Sequence, residues 1–172
     1  MSDNLTAVSP SDGRDDFDFF LGTWDSHQRK LKQRLRGSDE WEEFHGVSVA
    51  RKTLGGLGHM DEVTMETPGG SVIGLTLRLF DPQTRQWSIY WTTNLRSALD
   101  APMIGRFEQG RGLFYDREVF EGRVIISRFL WTSSGPNSCR WEQAFSHDGG
   151  HSWETNWTAD FTRRETASPV DH

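Results

Sequence analysis

The chain has 172 residues, enough for one filled core and too few for two ordinary domains, and 34% hydrophobic residues with 17 glycines suit a folded chain. Nineteen Lys and Arg against 25 Asp and Glu leave a net charge of −6, so there is no basic stripe to neutralise a nucleic-acid backbone. No wholly apolar run exceeds about three residues, as in Val124-Ile125-Ile126, and the start Met-Ser-Asp-Asn-Leu-Thr has neither the basic nor the apolar part of a signal peptide. A cytoplasmic protein that meets neither nucleic acid nor membrane is expected. Cys139 stands alone, which excludes an intrachain disulfide and a Cys-based zinc site.

Residues 1–16 are rich in Ser, Asp and Asn without periodicity, and residues 166–172 share that character, so both are expected to be flexible tails around a domain spanning 17–165. Arg14 to Leu21 is the one segment where a helical turn is expected. Beyond it, apolar residues recur at period two. Turn residues interrupt them at Arg36-Gly37-Ser38-Asp39, Gly55-Gly56-Leu57-Gly58, Pro68-Gly69-Gly70, Asp81-Pro82-Gln83-Thr84, Gly110-Arg111-Gly112, Glu121-Gly122, Ser133-Ser134-Gly135-Pro136-Asn137 and Asp148-Gly149-Gly150. That spacing predicts about ten strands, with the eight Trp and eleven Phe mostly inside them. A meander of this length removes its exposed edges most simply by closing, so the expected fold is all-β: one up-and-down antiparallel barrel.

Phe17-Asp18-Phe19-Phe20-Leu21-Gly22-Thr23-Trp24 places a short apolar turn before Gly-x-Trp. This resembles the opening of the calycin barrels, the lipocalins and fatty-acid-binding proteins among them. The resemblance implies that Trp24 closes the barrel floor and that an Arg of the last strand, Arg163 or Arg164, covers it. Through Trp41-Glu42-Glu43-Phe44, Phe80-Asp81-Pro82 with Trp87, Trp141-Glu142-Gln143-Ala144-Phe145-Ser146 and Glu154-Thr155-Asn156-Trp157, the chain is similar to an uncharacterised bacterial family of small calycin-like proteins, over nearly all of residues 17–164. That likeness implies a fold and no reaction. Asp25-Ser26-His27 stands where heme-binding nitrobindin-type barrels carry a second Gly-x-Gly, so the likeness implies no heme.

Hairpin register predicts which side chains share a face. Ser146-His147-Asp148-Gly149-Gly150-His151-Ser152-Trp153 fits the Asp-box hairpin, a structural turn. Pairing Phe145 with Trp153 puts Gln143 opposite Thr155 and Trp141 opposite Trp157. Pairing Trp131 with Cys139 brings Ser127 beside Gln143. A two-residue turn at Glu121-Gly122 sets Phe114 with Phe129 and Asp116 with Ser127. A polar row, Asp116, Ser127, Gln143 and Thr155, then crosses a wall of Phe114, Phe129, Trp131, Trp141, Phe145, Trp153 and Trp157. The opposite face carries Arg128, Arg140, Glu142, Glu154, Asn156 and Asp160, with Arg128 beside Glu142.

An aromatic interior with a few convergent polar groups is the chemistry of a small-molecule pocket. The expected function is binding of a small, largely apolar molecule, aromatic or carbonyl-bearing. Trp24, Phe114, Phe129, Trp141 and Trp157 would supply apolar and stacking area, and Ser127, Gln143, Thr155 and Asp116 would orient polar atoms. The alternative is an isomerase or cyclase on the same scaffold, with Asp116 or His27 as acid or base. A barrel plugged by its own rings is the third reading. No metal site is expected: only His27 and His45 approach one another, and a hairpin near Leu54 pairs His45 with about Thr64, away from His59. No nucleophile elbow surrounds Cys139, the 55–58 glycines lack a following helix and Lys, and Lys30 is expected to face the floor with Trp24. No cofactor is expected, and the partners are a small apolar ligand and, at most, a second copy of the chain as a homodimer.

Overall fold

The computed structural model describes residues 11–165. A 3-10 turn over Asp18–Phe20 leads into ten strands: β1 (Gly22–Leu31), β2 (Trp41–Thr53), β3 (Gly58–Thr67), β4 (Gly70–Asp81), β5 (Gln86–Thr93), β6 (Met103–Glu108), β7 (Arg111–Phe120), β8 (Arg123–Gly135), β9 (Ser138–Ser146) and β10 (Glu154–Arg163). Each strand pairs antiparallel with its chain neighbours, and β10 pairs with β1, from Trp24 opposite Arg163 to Lys30 opposite Trp157, so the sheet closes as the expected barrel. The weakest seam is β5–β6, which is paired at only three positions, Trp87 to Ile89. No helix among the described residues is long and apolar enough to cross a membrane. Residues 1–10 and 166–172 of the two expected tails lie outside the described residues. Within 11–16 the backbone turns back on the barrel, where the Gly13 carbonyl accepts from Trp87 Nε1 at 3.2 Å.

The Gly-x-Trp opening builds one end of the barrel. Trp24 is fully buried, its Nε1 donates to the Phe20 carbonyl at 3.1 Å, and Phe20 stacks on it with ring centroids 5.4 Å apart. Arg163 is the residue that covers it, with Cζ 4.2 Å from the Trp24 ring. Its guanidinium donates to the carbonyls of Pro136 at 3.0 Å and Phe19 at 2.9 Å, and to that of Leu21. Arg164 instead points outward to Asp25. Phe17, Phe20, Trp87, Phe114, Trp131 and Phe161 fill the space above Trp24 in one buried cluster. This end of the barrel is a close-packed core, so the plugged reading holds for the lower part.

Several registers differ from expectation. Glu121 and Gly122 both have positive φ, 47° and 80°, the backbone of a tight two-residue hairpin, so Asp116 does face Ser127 and Phe114 faces Phe129. On β8–β9 the strands run further into the loop than expected. Trp131 faces Trp141 and Cys139 faces Ser133, so Ser127 lies opposite Phe145 and Arg128 opposite Ala144 rather than Glu142. That shift is an even number of residues, so each side chain keeps its expected face. On β9–β10 the Asp148 carboxylate accepts from the Ser152 N–H and hydroxyl, which stretches the turn by one residue; Phe145 pairs with Glu154, and Trp153 lies outside against Arg128 and Tyr115. A bulge at Asn156 then restores parity, so Trp157 faces Gln143 while Thr155 pairs with Ala144. Asn156, expected on the solvated face, is fully buried. His45 lies opposite Glu66 rather than Thr64.

Candidate functional site

Above the packed floor the barrel is hollow. A cavity of about 600 Å³, inside the usual range for small-molecule pockets, opens at the end away from Trp24. Rings of Phe20, Trp131 and Phe161 form its base. Its wall is aromatic: Trp141 meets Trp157 edge-on at 5.5 Å, Phe129 meets Trp141 at 5.1 Å, and Trp157 lies 6.4 Å from Trp91 and 6.3 Å from Phe44. Gly74 makes room for Trp91, since a Cβ there would lie 2.1 Å from the indole Cη2. The Trp157 Nε1 donates to Gln28 Oε1 at 3.0 Å, which fixes that indole within the wall.

Of the polar row, Asp116, Ser127 and Gln143 line this cavity, as do Phe129, Trp141 and Trp157. Gln143 is itself oriented by Asn156, whose Oδ1 accepts from Gln143 Nε2 at 2.8 Å; the Asn156 Nδ2 is buried without a partner. Thr155 is a correction: the extra residue in the β9–β10 turn sets it opposite Ala144 and away from the cavity, before the bulge restores the register. Trp24 and Phe114 face inward but belong to the floor below the cavity, each 0% exposed. His27 is the second correction. It stands on the outer face of β1, with its Nε2 3.0 Å from Glu43 Oε2 and its ring 5.3 Å from His45, so it reaches nothing inside the barrel. Among the described residues no three His, Cys, Asp or Glu side chains cluster as a metal site requires. Lys30 shares the inward face of Trp24 yet lies at the cavity's mouth, beside Trp157 and not at the floor.

Three features escaped the sequence reading. At the base, Arg78, 2% exposed, donates through Nη1 to Asp61 at 2.5 Å and to His59 Nδ1 at 3.0 Å. Arginine has only donors, so His59 Nδ1 accepts and its proton sits on Nε2, which is buried without a partner. Burial, with the positive charges of Arg78 and Lys52 adding, lowers the His59 pKa to about 2. The second feature is Glu118, one inward position beyond Asp116 on β7; burial, then Asp116 and Asp100, raise its pKa. The third is the β1–β2 loop, which folds over the mouth. Leu35 N donates to Glu154 Oε1 at 2.8 Å and Arg36 pairs with Glu121 at 2.7 Å, placing Arg34 over the Phe120 and Phe145 rings at 4.8 Å and 5.3 Å. Glu118 shares the period-two face of Asp116, a signal open to sequence reading. The loop contacts span more than 80 residues of chain and leave no local trace.

No protein-family model matches the chain, and no curated protein matches it. Among solved structures it is similar to an S-type phycobiliprotein lyase from Guillardia theta, at 10% identity and a TM-score of 0.55, over 87% of this chain and 91% of that one. At that identity the likeness is one of fold alone.

Proposed function

We propose that the barrel binds one small, largely apolar molecule with a flat or aromatic body in its upper cavity. The observation that carries this is the cavity of about 600 Å³ itself, walled by Trp91, Trp141, Trp157, Phe44 and Phe129 and marked at different depths by Asp116, Ser127 and Gln143. Rings packed edge-on leave apolar faces for a guest, and the few polar groups orient rather than solvate it. Titration with N-phenyl-1-naphthylamine, a neutral dye that brightens in apolar surroundings, tests the reading. Saturation at one dye per chain is expected, weakened about tenfold by Trp157→Ala and unchanged by Trp41→Ala on the outer wall. No saturable brightening would overturn it.

A second reading, turnover of such a guest by acid/base chemistry, draws on one observation: Glu118 and Asp116 stand two residues apart on the cavity wall, and burial with the neighbouring carboxylates raises the Glu118 pKa, the direction a proton-transferring carboxyl group requires. The similar solved structure is by its name a lyase, so this barrel type also hosts enzymes. In a substrate screen, activity lost in Glu118→Gln and Asp116→Asn with binding kept within about tenfold would favour turnover.

A further inference from the structure

Four cations line the cavity, and they divide into two kinds. Arg78 is paired with Asp61 and Arg96 with Asp100, each at 2.5 Å. Lys30 and Arg34 are not: among the described residues no carboxylate lies within the 4.0 Å of an ion pair from either, and neither side chain donates a hydrogen bond. Both are instead held by rings. The Lys30 ammonium sits 4.3 Å from the Trp157 ring, and Arg34 is stacked on Phe120 and Phe145. The contacts of Leu35 and Arg36 hold the loop just after Arg34, and the Lys32 N–H, donating to the Glu40 carbonyl at 3.0 Å, holds it just before. Glu42 acts on Lys30, and Glu118, Glu121 and Glu154 on Arg34, only from beyond ion-pair distance, so these half-buried cations keep a desolvation cost that an incoming anion would offset.

Resting on the cavity reading above, we infer that Lys30 and Arg34 form an anion subsite at the cavity's mouth, so that the guest is an amphiphile: an apolar ring body in the barrel and one carboxylate-like or sulfonate-like group between the two cations. Glu42, Asp116 and Glu118 line the same mouth but stay outside pairing distance. Burial also depresses the charged form of both cations, and the two repel one another, Arg34 being the second cause of the Lys30 shift; a shared anion removes that repulsion.

The test compares two dyes with nearly the same rings, neutral N-phenyl-1-naphthylamine and its sulfonate, 8-anilinonaphthalene-1-sulfonate, by fluorescence titration of the full chain. The quantity read is the ratio of their Kd values. The wild type is expected to bind the sulfonate about tenfold or more tightly than the neutral dye. That ratio should fall to near one in Lys30→Met/Arg34→Met and persist in Lys30→Arg, which keeps the charge. A wild-type ratio near one, with the neutral dye bound, overturns the anion subsite and leaves the cavity reading standing. Binding of neither dye overturns both.

Discussion

His59 ties the barrel's stability to pH in a way that can be worked from its surroundings. It is 1% exposed, its Nδ1 is engaged by Arg78, and its pKa falls from 6.5 to about 2. The unfolded chain therefore takes up a proton near pH 6.5 that the folded chain refuses until about 2. Stability from this group is fully present above the unfolded pKa and is lost as pH falls below it, at about 1.4 kcal/mol per unit. Between pH 7.5 and 4.5 the loss is about 2.7 kcal/mol. Urea unfolding followed by tryptophan fluorescence across that range measures it, with His59→Asn as reference, since the Asn oxygen can accept from Arg78 and does not titrate. Carboxylates common to both chains cancel in the difference. The wild type should lose about 2.7 kcal/mol more than the variant. Parallel profiles would refute a neutral, buried His59.

Arg163→Ala removes three donors to carbonyls and the cover over Trp24, and should cost about 3 kcal/mol in thermal unfolding, whereas Arg164→Ala, which breaks only an exposed pair with Asp25, should leave the unfolding temperature nearly unchanged. Equal costs would contradict the assignment of the floor. Cys139 is 4% exposed and burial pushes its thiol up to about 12, so Ellman's reagent should leave the native chain unlabelled while it labels the urea-unfolded one; fast native labelling would be inconsistent with that burial. Gly74→Ala should push Trp91 into the cavity, destabilising the fold by about 1–3 kcal/mol and weakening the neutral dye, because the new methyl has no room beside the indole. A variant structure with Trp91 unmoved would show the close approach to be unimportant.

The barrel was legible because its signals are local: period-two alternation, turn residues at hairpin spacing, and Gly-x-Trp at the start. The hairpin at Glu121-Gly122 was read correctly because the loop length dictates its geometry. The β9–β10 hairpin shows the limit. An extended Asp-box turn moved the register by one residue and the bulge at Asn156 moved it back, so Trp157 landed on its expected face while Thr155 and Trp153 did not. Neither Asn156 nor its neighbours announce a bulge in sequence. The charges of the cavity were hidden for another reason. Arg78, Asp61 and His59 meet only through the pairing of β3 with β4, 17 and 19 residues apart in the chain, and Arg34 lies in a loop whose place over the mouth depends on contacts with Glu154 and Glu121 far along the chain.

The central claim, an open cavity in the upper barrel above a filled floor, is tested most directly by the indole N–H resonances of the eight tryptophans in a ¹⁵N-labelled chain titrated with N-phenyl-1-naphthylamine. Trp91, Trp141 and Trp157 in the wall should shift and saturate together, Trp24 and Trp87 in the floor should move little, and Trp41 and Trp153 outside should not move. Shifts confined to Trp41 and Trp153, or none in the three wall indoles at dye saturation, would contradict it.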